Sequence, residues 1–166
     1  MLDTMTRYLV GIPDQNERIA LRRILTAAID RLSSQPLTTA GLVISGAGLT
    51  VAKIGVAAFY ATAMGSLVTI AGGTVLPALT GIATLAGGFN VACFFVDSGG
   101  VVTVLGGNQA LTLAAVGWPQ FPVGKALVGF LIISGAGAFT GGTTALDAAT
   151  TVYVSPSGGF DPTALV

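Results

Sequence analysis

Histidine is missing from all 166 residues. With it goes the side chain that most often acts as a general base near neutral pH and most often binds a metal ion. Cysteine occurs once, at Cys93, so one copy can form neither a disulfide nor a thiolate metal cluster. In a strand-like setting that lone thiol reads as a small core hydrophobe, and it leaves the redox compartment open. Charge is scarce as well: Lys, Arg, Asp and Glu make up 8% of the chain and sum to zero, against about a quarter charged in an ordinary domain. So sparse and balanced a charge offers no footing for nucleic acid. Asp147 and Asp161 stand singly among small and turn-forming residues, and no close carboxylate pair exists beyond residue 37. The glycine-rich GGTT at 141–144 lacks the lysine and following helix of a phosphate loop. No catalytic residue, cofactor site or metal site is therefore expected, and the chain is read as a non-enzyme.

What fills the space is apolar residues and glycine: 52% hydrophobic, 24 Gly and a mean hydropathy of +0.84. Residues 54–71 form an uncharged run long enough to propose a spanning helix. Against that reading, the run contains Gly55, Thr62, Gly65, Ser66 and Thr69, and no Lys or Arg follows it before Lys125. Gly-Gly pairs at 72, 87, 99, 106, 141 and 158 would break a bundle of long helices. Turn signals at that spacing between β-branched runs are the mark of an all-β fold. Residues 1–7 include Asp3 and lead into no apolar core, so no secretory leader is expected. The chain is expected to be soluble without detergent, with no membrane partner.

One helix stands out. Asp14, with Glu17 three residues on, forms a variant capping box after Pro13; good helix formers follow to Leu32, and the SSQP at 33–36 stops the run. This predicts a helix over 14–33. Leu21, Leu25, Ala28 and Leu32 recur at four, three and four residues, a heptad seam widened by Ile24 and Ile29. Two heptads are too few for a stable coiled coil in isolation. The helix therefore either lays its apolar face on its own β domain or docks on symmetry mates or a foreign partner. Arg7, Arg18, Arg22, Arg23 and Arg31 supply most of the positive charge, leaving only Lys53 and Lys125 downstream. The expected organisation is an arm and amphipathic helix over 1–35 and a Gly/Thr-rich β domain over 36–166, a β-sandwich or barrel-like fold.

The β domain centres on FNVACFFV at 89–96. Phe89, Val91, Cys93 and Phe95 alternate with Ala92, Phe94 and Val96, so both faces are apolar and the strand belongs in the middle of a thick structure. DSGG at 97–100 is a turn, since Asp and Ser bond their own backbone and Gly accepts positive φ; VVTVL at 101–105 then pairs back. Residues 126–133 form a second strong strand, and 67–71, 111–116 and 151–154 are further candidates. ISGAG occurs at 44–48 and 133–137 and reads as one turn used twice. WPQFP at 118–122 has two prolines and cannot be a central strand. Trp118 and Phe121 are expected to plug a core edge or an interface.

FFVDSGGVVT at 94–103, PVGKALVGF at 122–130, FTGGTTALD at 139–147 and GFDPTALV at 159–166 resemble the small head proteins of tailed bacteriophages, variously called decoration, cement or head-fibre proteins. The resemblance spans about residues 89–166 and lies in Gly/Thr-rich phrasing. It implies an all-β protein, commonly trimeric, on the outer capsid surface of the virion, bracing neighbouring copies of the major capsid protein. Low charge and wide apolar strand faces suit a lattice component independently, because three-fold association hides such faces and many modest contacts add. A homotrimer is expected, with Leu21, Leu25, Ala28, Leu32, Trp118 and Phe121 in self-association. Capsid contacts are expected from Met5, Arg7, Tyr8, Leu9, Arg18, Arg22 and Arg23, where arginine forks and an unpartnered arm give directional grip. The competing readings are a tail-fibre or baseplate adaptor and a small membrane-inserted phage protein.

Overall fold

The computed structural model describes residues 15–159. Its order begins with helix α1 (Gln15–Ser33), followed at once by strand β1 (Gln35–Pro36). The helix runs from the first described residue to Ser33, where the expected stop falls, and the capping residue Asp14 lies outside the described residues. Strands β4 (Phe59–Ala63) and β5 (Ser66–Ile70) form a hairpin, and β1 pairs along β4, giving a three-stranded antiparallel sheet. A second sheet has the order β11 (Thr150–Val154), β9 (Ala126–Ser134), β7 (Phe89–Val96), β8 (Val102–Gly106), again all antiparallel. Two small ribbons complete the set: β2 (Val43–Ile44) with β3 (Ala52–Lys53), and β6 (Ala83–Thr84) with β10 (Phe139–Thr140). The protein is mainly β with one N-terminal helix, and no sheet closes into a barrel among the described residues.

The two main sheets differ because their hydrophobic periods differ. In β4 and β5 the pattern alternates: Phe59, Ala61, Ala63, Val68 and Ile70 are buried, whereas Tyr60 and Leu67 face out. That sheet has one core face. Strand β7 is buried from Asn90 to Val96 on both faces. Ala92, Phe94 and Val96 join the main core with the inner face of the three-stranded sheet. Val91, Cys93 and Phe95 point the other way, into a second cluster with Val116, Leu127 and Phe130. Phe59, Phe94, Phe95, Phe130 and Phe139 are all fully buried. At about 2 kcal/mol each these rings carry much of the core, few as the aromatics are.

A bulge in β9 sets which residues serve which core. Pairing with β7 runs from Phe89↔Ser134 to Phe94↔Gly129, then resumes at Phe95↔Leu127, so Val128 has no opposite number. One extra residue inverts the facing of everything beyond it. Ala126 and Val128 accordingly lie in the main core on one side of the bulge, and Leu131 and Ile133 on the other.

The uncharged run 54–71 is strand and turn, broken at Gly55 and at the two-residue hairpin loop Met64–Gly65, where φ is 51° and 77°. Two successive left-handed residues twist the chain as a tight hairpin requires. Among the described residues no helix is long and apolar enough to cross a membrane.

The expected turn after β7 is present. Asp97 Oδ1 accepts the N–H groups of Gly99 and Val101, each at 3.0 Å, and Gly100 takes φ 80°.

Two expectations are corrected. Residues 111–116 are not a strand: they contain a short 3-10 turn, Leu113–Ala115. Asn108 and Gly117 bridge to each other, which returns the chain to its starting point, and an extended segment cannot do that. The two ISGAG copies also differ, since Gly48 takes φ 73° whereas Gly137 is not left-handed. One copy closes the ribbon between β2 and β3 and the other leads from β9 into β10, so identical residues meet different demands.

Candidate interaction surface

Helix α1 is bonded to the β domain at its last turn. Asp30 Oδ1 accepts the N–H of Gly124 at 2.9 Å, and the Ser33 carbonyl accepts the N–H of Gly65 at 2.8 Å. The N–H of Met64 donates to Ser34 Oγ at 3.0 Å, just beyond the helix. An orphan carbonyl at the helix end and the exposed N–H groups of two turns satisfy one another. Among the described residues the helix shares no extended packing face with either sheet above this foot. Its apolar residues are correspondingly open: Ile24 is 65% and Leu32 71% exposed, Ile19, Leu21 and Ala28 are exposed, and Leu25 and Ile29 are half-buried.

The apolar stripe does not stop where the helix does. Met64, 69% exposed, and Val123, 84% exposed, belong to the two turns that hold the helix foot. Met64 lies over Gly124, where a Cβ would come within 2.9 Å of the Met64 Cγ. Leu32, Met64 and Val123 thus form an apolar collar at the base of a helix that is apolar along one side.

The anticipated interaction residues fall into three groups. Met5, Arg7, Tyr8 and Leu9 lie outside the described residues. Leu21, Leu25, Ala28 and Leu32 share the helix stripe; Arg22 and Arg23 beside it are exposed, while Arg18 is half-buried with its Nε shielded from water and lacking a hydrogen-bond partner. Trp118 and Phe121 sit on the opposite core. Trp118 meets Phe130 edge-on with ring centroids 5.0 Å apart, and Phe121 meets Phe95 likewise at 5.0 Å. Both rings are half-buried, so they cap the second cluster. The collar residues Met64 and Val123 have no distinguishing sequence signal, because only the pairing of distant turns brings them to the helix foot.

The β domain offers little chemistry. Burial pushes the Cys93 thiol far above its ordinary range, which keeps it protonated and inert. Lys125 stands 3.9 Å from Asp97, and both are partly exposed, so this pair is worth a few tenths of a kcal/mol at about the usual surface value. An open groove of about 390 Å³ is bounded by Thr39, Gly41, Lys53, Gly55, Val56 and Gly73, and its lining is mostly apolar. Among the described residues no three His, Cys, Asp or Glu side chains gather as metal ligands. No family model, curated protein or solved structure matches the chain.

Proposed function

We propose that this is a non-enzymatic structural protein of a tailed-phage virion, which decorates the outer capsid surface and cements neighbouring copies of the major capsid protein. The observation that carries this reading is the split between the helix and the domain. A low-charge β domain buries five phenylalanine rings fully in two internal cores, while the helix leaves Ile19, Leu21, Ile24 and Leu32 of its apolar stripe exposed. A body that packs and a projecting element that engages is the build a bracing protein needs. The Gly/Thr-rich phrases that resemble phage head proteins support the same reading from the sequence side. Capsid grip is assigned to the N-terminal part, residues 1–12 together with Arg18, Arg22 and Arg23 on the helix.

The test is co-sedimentation of the purified chain with undecorated capsid shells of the phage that encodes it, followed by density for the chain in a virion map. Saturable binding, and density on the outer shell between capsid subunits, is the expected result. Removal of residues 1–12 should leave a folded β domain that binds shells much more weakly, and replacing Arg22 and Arg23 by Ala should weaken binding more at low salt than at high, where salt already screens the lost contacts. Density confined to the tail would replace the decoration reading with the adaptor reading, and equal binding by the truncated chain would move the grip to the β domain.

A further inference from the structure

We propose that Asp30 is a positioning residue: it fixes the direction in which α1 leaves the β domain, and so where the arginines of the helix are presented. The inference rests on the capsid reading above only for what those arginines grip.

The local chemistry of the helix argues against an aspartate at this position. Asp30 lies in the last turn of α1, where the orphan backbone carbonyls gather partial negative charge. A carboxylate there is repelled, and aspartate is also among the weaker helix formers. Alanine would serve the helix better on both counts. A residue that breaks a local rule marks a demand made elsewhere in the fold. Here the demand comes from Gly124, 94 positions away, whose N–H donates to Asp30 Oδ1 at 2.9 Å.

The receiving turn is shaped for this bond. Gly124 takes φ 77°, which L side chains rarely adopt, and Met64 Cγ lies 2.9 Å from where a Cβ would be. Glycine supplies both the conformation and the room. The turn at 64–65 belongs to the β4–β5 hairpin of the three-stranded sheet, whereas the turn at 123–124 leads into β9 of the four-stranded sheet. The foot of the helix is therefore tied to both sheets.

The bonds differ in what they fix. Gly65 N–H to the Ser33 carbonyl, at 2.8 Å, and Met64 N–H to Ser34 Oγ, at 3.0 Å, sit beside the covalent link into β1 and fix a point. Asp30 is most of a helical turn higher and bonds the other turn. A rod held at one point pivots, and a second point off the first sets its direction. The lever is long: Gln15 stands about 22 Å from Asp30 along the axis, so a swing of about 10° at the foot moves it by roughly 4 Å. Arg18, Arg22 and Arg23 lie along that span. A guanidinium displaced by even part of that distance loses its two-point fit to a carboxylate.

Pulsed dipolar spectroscopy of the full chain tests this. Spin labels go on Ala20→Cys in the helix and Val152→Cys in the edge strand β11, both exposed, while buried Cys93 takes none. Excess unlabelled chain ensures that only distances within one chain are read. With Asp30 intact the distance distribution should be narrow. Asp30→Ala should broaden or shift it by about 4 Å or more, with helical circular dichroism retained, since alanine is the better helix former. Asp30→Asn keeps an acceptor oxygen and should restore the narrow distribution. Shell binding should fall on the order of tenfold in Asp30→Ala, because the helix must be ordered again on binding, and should recover in Asp30→Asn. A distribution that is already broad with Asp30 intact, or unchanged in Asp30→Ala, would overturn the assignment. A broadened distribution with unchanged shell binding would remove Asp30 from the grip. The two readings fail separately. A wild type that binds no shell but shows the Asp30-dependent distance refutes the decoration role alone, whereas shell binding with a distance indifferent to Asp30 refutes the positioning role alone.

Discussion

Replacing Gly129 by alanine tests the bulge on which the two-core arrangement depends. A Cβ at this position would lie 2.6 Å from Leu42 Cδ1 and 2.6 Å from the carbonyl oxygen of Val154. Leu42 can turn its side chain away, but the Val154 carbonyl is backbone of β11, held by the pairing Val154↔Phe130. Relief therefore requires β11 to slide off β9 or the bulge at Val128 to move. Overpacking of this kind costs about 1–3 kcal/mol, and the backbone clash puts this case near the top of that range. The loss of unfolded-state freedom returns about 0.4–1 kcal/mol, leaving a net destabilisation of roughly 2 kcal/mol. In a chain of this size that lowers Tm by about 4–8 °C.

Gly137→Ala is the matched control. Nothing lies within 4 Å of its Cβ position, and its φ is not left-handed. The same substitution there should stabilise by roughly 0.4–1 kcal/mol. Both variants should be followed by strand-region circular dichroism during thermal and urea unfolding, at one protein concentration because self-association shifts Tm. Opposite signs are expected. A Gly129→Ala protein as stable as the wild type would refute the close approach of β9 to β11 and Leu42, and with it the account of the bulge.

Four further outcomes follow from single residues. Asp97→Ala leaves the N–H groups of Gly99 and Val101 without their acceptor and should cost about 1–2 kcal/mol in urea unfolding. Lys125→Met removes a long, partly exposed ion pair and the hydrogen bond from Lys125 Nζ to Thr103 Oγ1 at 3.2 Å, and should cost less than about 1 kcal/mol. Cys93 should resist an aromatic disulfide reagent in the native protein and react on unfolding in urea, because burial holds the thiol protonated; rapid native labelling at neutral pH would put β7 outside the core. Desolvation, and then the charge of Asp147, raise the Tyr153 phenol above its ordinary 10.0. The folded state thus holds this proton more tightly than the unfolded one, so the associated stability is intact below pH 10 and is lost as pH rises beyond it. Denaturant midpoints measured from pH 9 to 11 should fall, and Tyr153→Phe should flatten that fall.

Local chemistry was legible in the linear chain. Good helix formers ended by SSQP mark α1 and its end at Ser33, and Asp97 with its glycines marks the turn between β7 and β8. The double apolar face of residues 89–96 correctly announced burial on both sides, because a strand covered once would show polar residues at every second position. Trp118 and Phe121 were marked as loop aromatics by their prolines, and the structure places both rings on the second cluster. The strand expected at 111–116 failed for a reason outside its own residues: the bridge between Asn108 and Gly117 bends the chain back there.

Tertiary structure alone decided the rest. Which strand lies beside which depends on pairings such as Gln35 with Thr62 and Thr150 with Ser134, made between segments whose own patterns fit several partners. The inverted facing of β9 depends on one skipped pairing at Val128 that no residue type announces. The projection of α1 was equally open in the sequence, where its stripe fitted a sheet as well as another helix. Two bonds from its last turn and one from Ser34 just beyond it, to the turns at 64–65 and 123–124, fix the foot of the helix on the β domain. Periodicity reports that a face must be covered; only the contacts of distant backbone groups determine whether the chain itself can reach to cover it.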